Sequence, residues 1–214
     1  VCFSDADIAS LTAIYGGVKV GERKIFPGFP VGSEVSSATP GGPRRGWDPW
    51  LIRTGQPTIS RSFMESFFKH MATPGAELDW RTFDADKDAA KLATIAALLN
   101  ATDPDLSPFR ARGGRILMYY GWADPALNPM MGVDYHDRVV QTMGAPTAEF
   151  FRLFMMPGVF HCSGGVGPDR VDTITALIKW VEKGAAPDRL VATQKVGDTT
   201  RRTRPLCVHP QVAK

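Results

Sequence analysis

The chain has 214 residues, of which 43% are apolar, 10% aromatic and 22% charged, with a formal charge of +3. This is the profile of an ordinary globular protein with one sizeable core, or a core plus a smaller unit, and it excludes a disulfide miniprotein and a disordered chain. No apolar run approaches the roughly 20 residues that span a bilayer, and so weak a charge bias gives no reason to expect nucleic acid, so neither a membrane nor a nucleic-acid partner is expected.

Ser4-Asp5-Ala6-Asp7 reads as a helix start with a capping residue and an acid three positions on; Ile8, Leu11 and Tyr15 share a face, and Gly16-Gly17 ends the helix. A helix beginning so close to residue 1, beside Cys2, reads as a cut rather than a natural terminus. Val18 to Phe26 is expected to form a small hairpin, and Pro27 to Gly46 an irregular loop. The stretch from Trp47 to Trp80 is rich in aromatics, with a helix over Ser60 to Met71 that places Phe63, Phe67 and His70 on one face. Those rings either fill a core or wall a pocket for an aromatic substrate.

Ala85 to Leu99 is predicted as a second helix with Leu92, Ile95, Ala96 and Leu99 facing inward and Asp84 and Asp86 near its positive end. After Gly113-Gly114 the pattern changes to that of an α/β fold. Arg115 to Tyr120 is an apolar run suited to a strand covered on both faces, Pro129 to Met143 an amphipathic helix, Phe150 to Met156 a second buried strand, and Asp169 to Lys183 a helix stopped by Gly184. Strand, helix, strand, helix with short connections predicts a parallel sheet flanked by helices.

Two strand ends carry the chemistry. Asp124 directly follows the first apolar run and precedes Pro125; His161 follows the second after Pro157-Gly158 and opens a loop rich in glycine, Ser163-Gly164-Gly165-Val166-Gly167. Functional groups of open α/β sheets sit at the carboxyl ends of strands. An acid followed one strand later by a histidine matches the chain order of the α/β-hydrolase triad, in which the nucleophile comes first. No Gly-x-Ser-x-Gly is present, and Ser163 comes after the histidine with no helix beginning there, so the nucleophile is expected to lie outside the chain. His70, His136 and His209 are weaker candidates, and no HExxH or clustered acid and histidine spacing supports a metal. Cys2, Cys162 and Cys207 have no CxxC spacing, and their odd count leaves them either as buried free thiols or as partners of cysteines outside this stretch.

On these residues the chain resembles the C-terminal part of the tannase and feruloyl esterase family of secreted serine esterases. The matching passages are Asp79 to Phe83, Ala101 to Ser107, Gly113 through Pro125, Arg152 through Gly165, Trp180 to Gly184 and Arg202 to Cys207. The resemblance implies that residues 1–108 are part of an inserted lid domain and residues 109–214 the C-terminal part of an α/β-hydrolase catalytic domain. It implies a carboxylic ester hydrolase for esters of aromatic acids, with Asp124 and His161 catalytic and the serine missing from this chain. Trp47, Trp50, Phe63 and Phe67 become candidate substrate contacts. Cys162 would bridge to the cysteine before the catalytic serine, and Cys2 and Cys207 would also pair outside the chain. The family's structural calcium would be bound by an upstream lid segment, so no cofactor or metal is expected here. The remaining partners would be a small aromatic ester and the missing N-terminal part of the same enzyme, in a secreted or periplasmic location. A peptidase of the prolyl-oligopeptidase type, or a non-catalytic fragment, are the rival readings; the cysteine after His161 argues against the first.

Overall fold

A computed structural model describes residues 2–37, 45–72 and 79–213. The chain divides into two compact units, one of Val1–Phe29 with Trp47–Thr102 and one of Pro30–Gly46 with Asp103–Lys214. This division falls after Thr102, whereas the resemblance implies a boundary at 108, and residues 30–46 go with the second unit.

In the first unit, helix α1 (Asp5–Gly16) starts at a capping box. The Ser4 hydroxyl accepts from the Asp7 N–H and the Asp7 carboxylate accepts from the Ser4 N–H. The expected hairpin is β1 (Val18–Val20) with β2 (Arg23–Phe26). Short α2 (Trp47–Trp50) and α3 (Ile59–Phe67) follow, and a π-helical turn continues α3 over Phe68–Ala72. The single helix predicted over residues 85–99 is instead α4 (Ala85–Asp88), a 3-10 turn and α5 (Ala93–Leu99). Its acids are the reason: the Asp84 carboxylate accepts from the Asp86 N–H, and the Asp88 carboxylate reaches back to the Asp84 N–H, so the first turn closes on its own side chains. Leu99, expected inside, is 54% exposed.

The second unit is built around one strand. A two-residue antiparallel ladder, β3 (Ser36–Ser37) with β4 (Arg45–Gly46), interrupts the expected loop, whose residues 38–44 lie outside the described ones. After α6 (Ser107–Ala111), β5 (Ile116–Gly121) and β6 (Phe151–Met156) pair in parallel, with Ile116 opposite Phe151 and Gly121 opposite Met156, joined through α7 (Pro129–Met143). Because β6 is covered on both faces, its alternate residues enter different clusters. Leu153 and Met155 pack with Val133 of α7, while Phe154 and Met156 pack with Val159, Leu190, Ala192 and Leu206. Full burial of each such side chain is worth about 2 kcal/mol.

Helix α8 (Thr173–Lys183) begins four residues later than predicted. Arg170 is engaged in an antiparallel bridge with Thr193, which holds the preceding backbone extended, and Asp172 then caps the helix by accepting from the Thr175 N–H. Among the described residues the two longest strands, β7 (Arg189–Val196) and β8 (Thr199–Cys207), form an antiparallel hairpin where no element was expected. The overlooked signal was local: alternating Leu190 and Ala192, and Gly197-Asp198 as a two-residue turn. Among the described residues no helix is long and apolar enough to cross a membrane.

Candidate active site

The carboxyl ends of β5 and β6 are laced together before either functional side chain appears. The Trp122 N–H donates to the Met156 carbonyl and the Ala123 N–H to the Val159 carbonyl, at 2.9 and 3.0 Å. Gly121 permits this approach, since a Cβ there would lie 2.2 Å from the Val159 oxygen. The chain then turns, with the Asp124 N–H donating to the Gly121 carbonyl, and Asp124 is buried at 3% exposure. Its Oδ1 accepts from the N–H groups of Ala126 and Leu127 at 2.8 and 2.9 Å. That double anchorage fixes the carboxylate plane and directs Oδ2 at the His161 ring, whose Nδ1 lies 2.9 Å away.

His161 is carried by a loop that folds back on itself. Val159 and Phe160 are buried just ahead of it, and their backbone pairs with the far limb: Val159 bridges Gly165, the Phe160 N–H donates to the Gly164 carbonyl and the Gly167 N–H to the Gly158 carbonyl. The Ser163 N–H donates to the His161 carbonyl at 2.8 Å. Cys162 sits at the apex with a φ of 62°, the one non-glycine residue in the left-handed region among those described. Asp169, which the sequence reading passed over, accepts the Gly164 N–H at 2.8 Å and braces the loop from its far end.

The chemical consequence follows from which atoms meet. A carboxylate can only accept, so the shared proton rests on Nδ1 of His161, and Nε2 is left as the basic nitrogen. The His161 side chain is 40% exposed while that of Asp124 is 5% exposed. A buried carboxylate thus stands behind a partly exposed imidazole, an arrangement chemically able to draw a proton from a hydroxyl.

The other histidines are elsewhere. His70 is exposed in the middle of the π-helical turn. His136 is buried on α7 against Phe151 and His209, with its imidazole held below its ordinary pKa chiefly by burial. Of the aromatic candidates, Trp47 is 1% exposed between Tyr15 and Phe29 and is core of the first unit. Trp50 stacks on Phe63, which is 67% exposed, and Phe67 packs edge-on against Phe68. Cys2, Cys162 and Cys207 are free thiols, the first two exposed. Among the described residues no group of three or more His, Cys, Asp or Glu is placed to hold a metal ion.

The family model described as tannase and feruloyl esterase matches residues 1–214. The chain belongs to the tannase and feruloyl esterase family. Within it, the chain is similar to an uncharacterized esterase of Xanthomonas campestris pv. campestris, 33% identical over 99% of this chain and 43% of the relative. It is also similar to the mono(2-hydroxyethyl) terephthalate hydrolase of Piscinibacter sakaiensis, 41% identical over 62% of this chain and 24% of that protein. In fold it is similar to the crystal structure of feruloyl esterase B from Aspergillus oryzae, with a TM-score of 0.82 at 22% identity, covering 98% of this chain and 42% of that one. The chain thus spans about two fifths of the length of the Xanthomonas relative and of the feruloyl esterase B structure, as the expected C-terminal part of an α/β-hydrolase would.

Proposed function

We propose that the chain supplies the acid and the base of a serine carboxylic ester hydrolase that cleaves esters of aromatic acids. The observation that carries this reading is the contact of 2.9 Å between Asp124 Oδ2 and His161 Nδ1, with Oδ1 already anchored by two backbone N–H groups. The family, and the feruloyl and terephthalate esters in the names of its relatives, support the substrate class.

In this reading a serine from the preceding part of the enzyme attacks the ester carbonyl as His161 Nε2 takes its hydroxyl proton. Asp124 stabilises the imidazolium and holds its orientation. The imidazolium returns the proton to the departing alkoxide, leaving an acyl-enzyme and a free alcohol. Water then repeats the sequence: His161 takes its proton, hydroxide adds to the acyl carbon, and the proton goes back to the serine oxygen as the aromatic acid leaves. Cys162, exposed at the apex beside His161, is proposed to form a disulfide with the cysteine preceding that serine, tying base and nucleophile across a long loop whose closure is entropically costly. The stacked Trp50 and Phe63 pair is the best-exposed candidate for aromatic contact among the four proposed positions. A secreted or periplasmic location goes with the proposed disulfides.

The test is direct. The isolated 214-residue chain is expected to show no hydrolysis of methyl ferulate or methyl gallate above background, while the full-length enzyme hydrolyses at least one of them and loses that activity on His161→Ala. Turnover by the isolated chain that depends on His161 would overturn the assignment of the nucleophile to another part of the protein.

A further inference from the structure

The two limbs of the His161 loop are held by different means. The near limb is anchored by burial of Val159 and Phe160 and by the bond from Ala123 to the Val159 carbonyl. The far limb is tied to the near one by backbone bonds at Gly164, Gly165 and Gly167 and braced by Asp169, but it has no apolar anchor: no side chain from Cys162 through Val166 is buried, and Val166 is 52% exposed. Yet its carbonyls are grasped from outside. The Arg202 guanidinium donates through Nη2 to the Val166 carbonyl, and the Gln194 amide donates to the carbonyls of Val166 and Gly167, the latter at 3.4 Å.

Gln194 and Arg202 are cross-strand partners in the β7–β8 hairpin, so they leave the same face side by side. The hairpin is altered at this point. Gln194 pairs with Arg202 but Lys195 pairs with Thr200, which leaves Arg201 as the extra residue of a β-bulge. Bulges of this kind re-aim a neighbouring side chain. The hairpin is itself rigidly based, with Leu190, Ala192 and Leu206 buried in the core and Thr193 bridged to Arg170 just beyond the loop. The carbonyl of exposed Val166 has water available, so the bonds to it are not needed to satisfy it; what they supply is restraint.

We propose that Arg202 and Gln194 are positioning residues for His161, clamping the far limb of its loop so that the imidazole stays in register with Asp124. The proposal rests on the assignment of His161 as the base. Since a displacement of about 1 Å can cost on the order of a hundredfold in rate, loosening one limb is expected to cost about tenfold.

The experiment uses the full-length enzyme and methyl ferulate or methyl gallate, whichever it hydrolyses. Arg202→Met is expected to lower kcat about tenfold with KM changed less than twofold. The downfield proton NMR signal of the Nδ1–H to carboxylate bond should weaken with it. Arg202→Lys should recover part of both, and Lys195→Met, which removes a neighbouring charge that holds nothing in the loop, should change neither. Arg202→Met should add no further loss to His161→Ala. If Arg202→Met does not fold, the decision passes to Gln194→Ala, with about a threefold loss of kcat expected from the weaker of the two holds. Unchanged kcat and an unchanged downfield signal, in an enzyme that His161→Ala inactivates, would overturn the clamp and leave the function intact. Retained activity in His161→Ala would instead overturn the function on which the clamp depends.

Discussion

At the scale of single residues, the two oxygens of Asp124 have different duties. Oδ1 is committed to the Ala126 and Leu127 N–H groups, so in Asp124→Asn the amide oxygen takes that place and its NH₂ faces His161. Nδ1 must then accept, the proton moves to Nε2, and the ring can no longer take one from a hydroxyl. A fall in kcat on the order of 10⁴ is expected in the full-length enzyme, with little change in Tm. His136 gives a pH prediction of the opposite kind, about stability. Its burial disfavours the charged ring, so the unfolded chain binds the proton first as pH falls below the ordinary histidine value near 6.5, and stability is lost in that direction. Thermal midpoints at pH 7.5 and 5.5 should show a drop that is smaller in His136→Gln. The placing of Asp124 and His161 after two apolar runs could be read from the sequence because proline and glycine mark both turns, and the structure brings the two side chains to 2.9 Å. The fate of Trp47 could not be, because a tryptophan has the same apolar surface to offer to a core or to a pocket, and only the packing of Tyr15 and Phe29 around it decides.

At the scale of elements, the site is a property of two strand ends brought within backbone hydrogen-bonding distance. Gly121 is the position on which this depends most. Gly121→Ala would place a methyl 2.2 Å from the Val159 carbonyl, a backbone atom that can retreat only by moving Val159 and Phe160 away from β5. A loss of about 1–3 kcal/mol in denaturant unfolding is expected, together with a loss of activity, because the displaced residues lead straight into His161. Helix α7 could be read from the sequence to the residue, since Pro129 and Gly144 punctuate it and its apolar face is continuous. The start of α8 could not be, because a long-range bridge from Arg170 to Thr193 competes with helix and wins. The β7–β8 hairpin escaped for a similar reason. Most of β8 is exposed and strongly basic, so its strand character shows only in pairing with β7.

At the scale of the whole molecule, the chain is a family member that spans about two fifths of the Xanthomonas relative and of the feruloyl esterase B structure. It brings the Asp124 carboxylate and the His161 imidazole into contact, and the reading proposed for it needs one more group. Had the chain carried its own nucleophile, the order along the sequence would place it before Asp124, and no serine there sits in a Gly-x-Ser-x-Gly turn. The most direct measurement is to label the full-length enzyme with a serine-directed phosphonate and locate the modified peptide by mass spectrometry. A single modified serine outside these 214 residues is expected, with labelling slowed strongly by His161→Ala. A modified serine within them, or labelling at an unchanged rate in His161→Ala, would contradict this reading.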